Sequence, residues 1–258
     1  MTATHIFQKS IPYDPRVHRK LPGIQPLNDA PWLMVDDAYA AQMAERDRLI
    51  AETPDVVIAR VDGFEAEEQE LFDAVLNNLP EGFRRNDDTV TRPDGVTITL
   101  DRSAPIRTLG QIVQEDLCLL TKPEGAEEHI LISAVLCFPA RWSIRAKIGK
   151  PLIPIHAPVA EYDGDIAKRV QRLFDGIQPG RPIWRYNKLW DEDPTLHQPI
   201  PSKEHPKWVR ESAPFLRSER QCLIRLPETR AILFSIHTFV IERAGVEAQW
   251  GKNVTEST

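Results

Sequence analysis

Two neighbouring strand-like runs constrain the fold most. Glu219–Leu226, ERQCLIRL, alternates in the way a half-buried strand does. Ala231–Ile241, AILFSIHTFVI, is a longer run rich in β-branched and aromatic residues. Only Pro227–Arg230 separates them, so a short turn is expected to join them into an antiparallel hairpin. A third run, His129–Phe138, HILISAVLCF, is almost continuously apolar, reads as a buried strand and ends at Pro139. Pro182–Asn187, rich in aromatics, and Thr97–Leu100 are shorter strand candidates.

Helical spacing is concentrated earlier. Asp36 and Asp37 can cap a helix starting near Ala38, whose Tyr39, Met43 and Ile50 fall on one side. A second helix from about Glu65 carries Leu71, Phe72, Val75, Leu76 and Leu79, and Pro80 stops it. A third is expected over Thr108–Leu120, with Leu109, Ile112, Val113, Leu117 and Leu120 on one face, and a fourth over Asp163–Phe174. Helices gathered in the first half and strands in the second predict an α+β fold with an antiparallel sheet.

Residues 1–258 read as a single domain, without repeats or a clear boundary. The first 31 residues hold Pro12, Pro15, Pro22, Pro26 and Pro31, so an extended N-terminal segment, to about residue 35, should pack onto the body. The tail GKNVTEST is expected to fray.

The net charge of −6 argues against a nucleic-acid partner, which would want a basic face. No run reaches ~18 apolar residues and the N-terminus lacks a signal-peptide core, so a cytoplasmic protein without a membrane span is expected. Cys118, Cys137 and Cys222 sit in apolar runs without CxxC spacing, which suits reduced buried thiols and not a zinc site. Glycine-rich nucleotide motifs, HExxH and GxSxG are absent, and Ser218 lacks a nucleophile-elbow context.

Several polar residues stand out against apolar surroundings. His156 lies in GKPLIPIHAPV between Pro154 and Pro158. A stiff loop presenting one imidazole suits an axial metal ligand, and equally a hydrogen-bonded structural histidine. His237 shares its strand face with Ser235 and Phe239, opposite Ile236 and Thr238. It is either a satisfied core histidine or part of a ligand pocket. Glu219 and Arg220 are adjacent and must face opposite ways, so one can enter a cavity. Arg185 and Asn187 stand among Trp184, Tyr186 and Trp190, where an internal network or a ligand would have to satisfy them. Trp142, with Arg141, Arg145 and Lys147, reads as an anion-binding loop or a solvated basic turn.

Together, LCFPARWSIRAKIGKPLIPIHAPV, RYN and LRSERQCLIRLPETRAILFSIHTFV resemble the conserved blocks of the heme-dependent oxidative N-demethylase alpha-subunit-like family. PWLMVDDAYAAQMAERDRLI resembles that family's start, and the likeness covers roughly residues 20–242. It implies a PAS-like fold holding heme b and an oxygenase that uses O2 to demethylate a small amine such as dimethylamine, releasing formaldehyde. It also implies NADPH electrons arriving through flavin and iron–sulfur partner subunits, and a folate-binding partner for the product. On this likeness His156 is the expected heme-iron ligand, with Arg220, Arg225, Lys147 and Trp142 near the cofactor. Glu219, His237, Trp184, Tyr186 and Asn187 are the expected substrate neighbours. The chain departs from the family at Lys188, where tryptophan is common, and at His237, where arginine is common. A non-catalytic heme or small-ligand PAS-like sensor is the alternative.

Overall fold

The computed structural model describes residues 5–17, 22–156, 164–200 and 212–251, except the side chains of residues 156 and 164–168. The hairpin expected from the sequence forms its centre. Strands β9 (Phe215–Arg225) and β10 (Ile232–Glu242) pair antiparallel along their whole length, from Arg225↔Ile232 to Phe215↔Glu242. Arg230, in the left-handed region at φ 64°, turns the chain, and Leu226 N–H closes the turn on Ala231 O at 2.8 Å.

The hairpin extends on both sides into an antiparallel sheet of seven strands, in the order β1-β8-β9-β10-β6-β7-β2. These are β1 (Gln25–Pro26), β2 (Ile58–Arg60), β6 (Asp116–Thr121), β7 (Ile130–Val135) and β8 (Ile183–Asp191), besides the hairpin. A separate small sheet joins β3 (Arg84–Arg85), β4 (Thr89–Thr91) and β5 (Thr97–Thr99).

Helices cover both faces of the large sheet. On one face lie α1 (Tyr39–Glu52), α2 (Pro54–Val57), α3 (Glu65–Asn77) and α4 (Pro105–Gly110). Helix α1 buries Tyr39, Gln42, Met43, Arg46, Leu49 and Ile50 at helical spacing. Helix α3 buries Leu71, Phe72, Val75 and Leu76, and its first turn holds Glu65, Glu67 and Glu68, which suit a helix N-terminus. These side chains meet Leu117, Leu119 and Leu233 from the sheet in the main core. The other face packs against α5 (Leu152–His156) and α6 (Gly164–Gly176) in a second core that includes Leu120, Leu223, Ile232 and Ile236. Helix α7 (Arg243–Trp250) follows the hairpin.

The helix expected over Thr108–Leu120 is not formed. Helix α4 stops at Gly110, and Asp116–Thr121 is the central strand β6. A side chain at Gly110 would place its Cβ 2.6 Å from Val135 Cγ2, so α4 packs directly on β7 there. Residues 116–121 are buried on both faces, and the apolar run Leu117–Leu120 within them carries no periodicity to separate strand from helix. With α5, α6 and α7 in the second half, helices and strands are mixed along the chain, and the expected division into a helical and a stranded half does not hold.

The extended N-terminal segment packs onto the sheet as expected. Gln8 donates to Thr238 O at 3.1 Å and accepts from Val240 N–H at 2.9 Å, and β1 adds to the edge strand β8. None of the described helices is long and apolar enough to cross a membrane.

Candidate functional site

Strand alternation sends every second side chain of the sheet toward α5 and α6. From β8 these are Arg185 and Asn187, from β9 Glu219, Gln221 and Leu223, and from β10 Phe234 and Ile236. Cys118 and Leu120 of β6 join them, with Leu131 of β7. Opposite stand Trp142, Lys147, Leu152 and Ile155, then Val170, Leu173 and Phe174 of α6. Pro22 and Ile24 of the N-terminal segment complete the wall. Between these groups lies a cavity of about 380 Å³, within the range of small-molecule sites. A wider groove of about 680 Å³ continues past Leu173, bordered by Arg172 and Arg181.

The cavity is apolar except at one end. There Glu219 is almost fully buried, 5% exposed. Its Oε2 accepts from Asn187 Nδ2 at 2.8 Å and from Gln221 Nε2 at 2.9 Å. Asn187 is held by its Oδ1, which accepts the Glu219 backbone N–H at 2.9 Å. Register explains the contact: Asn187 stands directly across from Glu219 on the neighbouring strand. The Lys147 amine lies 4.2 Å from the centroid of the Trp142 ring. Burial lowers its pKa, against the opposing pull of Cys118 and Glu219. Burial raises the Cys118 thiol, helped by Asp116, so it stays protonated.

The opposite face carries a second polar assembly that is closed. His237 is 1% exposed and lies between two carboxylates. Its Nδ1 is 2.9 Å from Glu115 Oε1 and its Nε2 is 3.0 Å from Asp36 Oδ2. Both ring nitrogens must donate, so the ring is an imidazolium. Burial alone would lower its pKa, but the hydrogen bonds and charges of Asp36 and Glu115 push it up to about 9. Burial raises and His237 lowers the Asp36 carboxyl, with a net downward result. Asp36 also accepts from Gln8, Gln114 and the Ala38 N–H, and Glu115 accepts the Met34 N–H. His237 thus supplies the cation between the two acids.

The expected site residues therefore divide between the two faces. Glu219, Asn187, Lys147 and Trp142 meet at the cavity. Arg220, Trp184, Tyr186 and His237 lie across the sheet and do not line it. Arg220 sits 5.4 Å from the Trp184 ring and donates to Pro31 O at 2.7 Å. Trp184 and Tyr186 pack on Tyr13, at ring separations of 5.6 and 4.5 Å. Tyr13 in turn bonds Ser218 Oγ at 2.9 Å, and burial raises its phenol pKa strongly. Arg225 gives its donors to the carbonyls of Phe174, Ile177 and Arg230, closing the end of α6. Of the three thiols only Cys118 reaches the cavity, while Cys222 lies in the main core, its pKa pushed up to about 11 by burial.

His156 is the last residue of α5, the helix whose Leu152 and Ile155 line the cavity. Its side chain is outside the described residues. Sequence reasoning missed Gln221 and Cys118. Strand parity with Glu219 was the available signal for Gln221, but β6 had been read as helix, which hid Cys118. Among the described residues no three of His, Cys, Asp and Glu gather as a metal cluster. Residues 23–256 match the family model described as "Haem-dependent oxidative N-demethylase, alpha subunit-like", and the chain belongs to that family.

Proposed function

We propose that this chain, as a member of that family, is a heme-binding oxidoreductase subunit that demethylates a small methylated amine, with heme b seated in the cavity between the sheet and α5–α6. The carrying observation is the cavity itself: its wall includes the helix that ends at His156. The lining suits the group. Leu120, Leu131, Leu152, Leu223, Phe234 and Ile236 offer apolar faces to a macrocycle, and Lys147 offers a cation to one of its carboxylates. His156 would be the residue that holds the heme iron. We read the sheet with its flanking helices as a PAS-like scaffold for this pocket.

Bound heme supplies the O2 chemistry that oxidises an N-methyl carbon, after which the carbinolamine separates into amine and formaldehyde. The chain's own residues do the rest. The apolar wall excludes water from the reacting carbon. Lys147, over Trp142, would hold a cofactor carboxylate, and the Glu219 end would face the amine. Electrons come from an NADPH-linked flavin and iron–sulfur partner, and a folate-binding partner takes the formaldehyde.

Heme reconstitution of the purified chain tests the cofactor, read by Soret absorption. The wild type takes up heme stoichiometrically and His156→Ala does not. A variant with normal heme content and an unchanged spectrum removes His156 from the role. Formaldehyde release from dimethylamine, with a surrogate electron donor, tests the reaction.

A further inference from the structure

A lysine ammonium is normally hydrated at the surface or, where it is drawn inward, paired with an acid or a carbonyl. Among the described residues Lys122 pairs with Asp175 at 3.0 Å, Lys188 donates to Pro15 O at 2.6 Å, and Lys9 and Lys150 are exposed. Lys147 departs from that pattern. It is half-buried and lines the cavity, yet its amine has no hydrogen-bond or ion-pair partner among the described residues. It rests on the Trp142 ring, 4.2 Å from the centroid. The backbone fixes it there. Lys147 closes a single 3-10 turn, Ile144–Ala146, by donating its N–H to Ile144 O at 2.9 Å, and the fully buried Ile144 anchors that turn. The amine is thus held against a wall to which Leu120, Leu131, Leu152 and Phe234 also contribute.

An unpaired amine in such a place is poised for covalent chemistry. Burial lowers its pKa and outweighs the opposing pull of Cys118 and Glu219. More of it is therefore neutral at a given pH than of an exposed lysine. The neutral amine carries the lone pair that attacks a carbonyl carbon, and lysines desolvated in apolar pockets are the ones that form Schiff bases. The walls favour the product as well, because imine formation releases water and an apolar site keeps water from returning.

We infer that Lys147 is a covalent capture site for small apolar aldehydes, active when no cofactor carboxylate occupies its amine. The nitrogen lone pair attacks the carbonyl carbon, a C–N bond forms, and the C=O π pair takes a proton from nitrogen to give the hydroxyl of a carbinolamine. The second nitrogen hydrogen then leaves with that hydroxyl as water, and a C=N imine remains. No oxidant or reductant is consumed. The cavity of about 380 Å³ admits an aldehyde of several carbons. This inference goes beyond the amine-oxidation reading and does not rest on it.

The test incubates the full chain with butanal and cyanoborohydride, which reduces the imine to a stable secondary amine. Peptide mass spectrometry then reads which lysines are labelled, before and after heme loading. Without heme, Lys147 is expected to be labelled at least about tenfold faster than Lys9 and Lys150, with its rate half-maximal at a lower pH than theirs. In urea that advantage should vanish, because it belongs to the cavity. Folded Lys147 labelled no faster than Lys150 overturns the inference, and so does an advantage that survives unfolding. Heme loading should slow Lys147 and spare the exposed lysines. A chain that binds heme while Lys147 is still labelled fast keeps this inference and loses the proposed cofactor contact of Lys147. A chain that binds heme but shows no preference for Lys147 before loading does the reverse.

Discussion

Glu115 and Glu219 are both buried, at 0% and 5% exposure, on opposite sides of one sheet. Glu115 faces His237 and a backbone N–H, inside an assembly that also ties down Asp36, Gln8 and Gln114. Glu219 accepts hydrogen bonds from two neutral amides and lines a cavity, with Arg217 and Lys147 near enough to act through their charge but not to pair with it. The sheet thus separates a carboxylate network built around its own imidazolium, in which Glu115 Oε2 and Gln114 Oε1 are still without hydrogen-bond partners, from a carboxylate bonded only to amides. Identical carboxylates serve two ends. The first fastens Gln8, Met34 and Asp36 to the body, and the second lines a cavity.

The sharpest way to break this contrast is at its two centres. His237→Ala leaves Asp36 and Glu115 facing each other without their cation. It should destabilise the fold by about 3–5 kcal/mol in chemical denaturation. A loss under about 1 kcal/mol would show that the closed network is not a structural pin.

The pH dependence comes next. The folded pKa of His237 lies above its ordinary value of 6.5, so its contribution is complete below that value and disappears as pH rises through about 9. A loss of roughly 3 kcal/mol is expected over that interval, read from denaturation midpoints. His237→Gln should flatten it. Asp36, whose folded pKa is depressed, acts at the other limit. Its contribution is present above the unfolded carboxyl range and fades as pH falls through the folded value.

Tyr13→Phe removes one buried hydrogen bond, to Ser218, on the closed side. It should cost about 1 kcal/mol and leave ligand binding in the cavity unchanged. Altered amine or heme binding would show that the two faces communicate through the sheet.

The smallest stability effect belongs to Glu219→Gln. Removing an unpaired buried charge should leave the unliganded protein within about 1 kcal/mol of wild type, or more stable. A loss comparable to that of His237→Ala would mean that Glu219 is a structural residue after all.

Much of the scaffold was legible from local pattern. The hairpin, the helices near Ala38 and Glu65 and the strand at His129–Phe138 all follow from spacing and flanking prolines. Alternation also separated Glu219 from Arg220, and His237 from Ile236, before any coordinates. It did not reveal which side of the sheet would be open. Arg220 was expected either in a cavity or in solvent, and it lies in neither, buried against Pro31 and Trp184. Strand β6 was misread because Leu117–Leu120 is apolar on both faces and periodicity carries no information there.

The sequence by itself therefore determined the central hairpin, the helices near Ala38 and Glu65, the parity of the strand side chains and the family. Only the tertiary structure decided which charges meet. The partners of His237 come from 122 and 201 residues away, and Asn187 reaches Glu219 across 32. Local pattern can say that a buried carboxylate points to one face of a strand. Whether that face is sealed by a histidine or left open to a ligand depends on chain segments that only folding brings together.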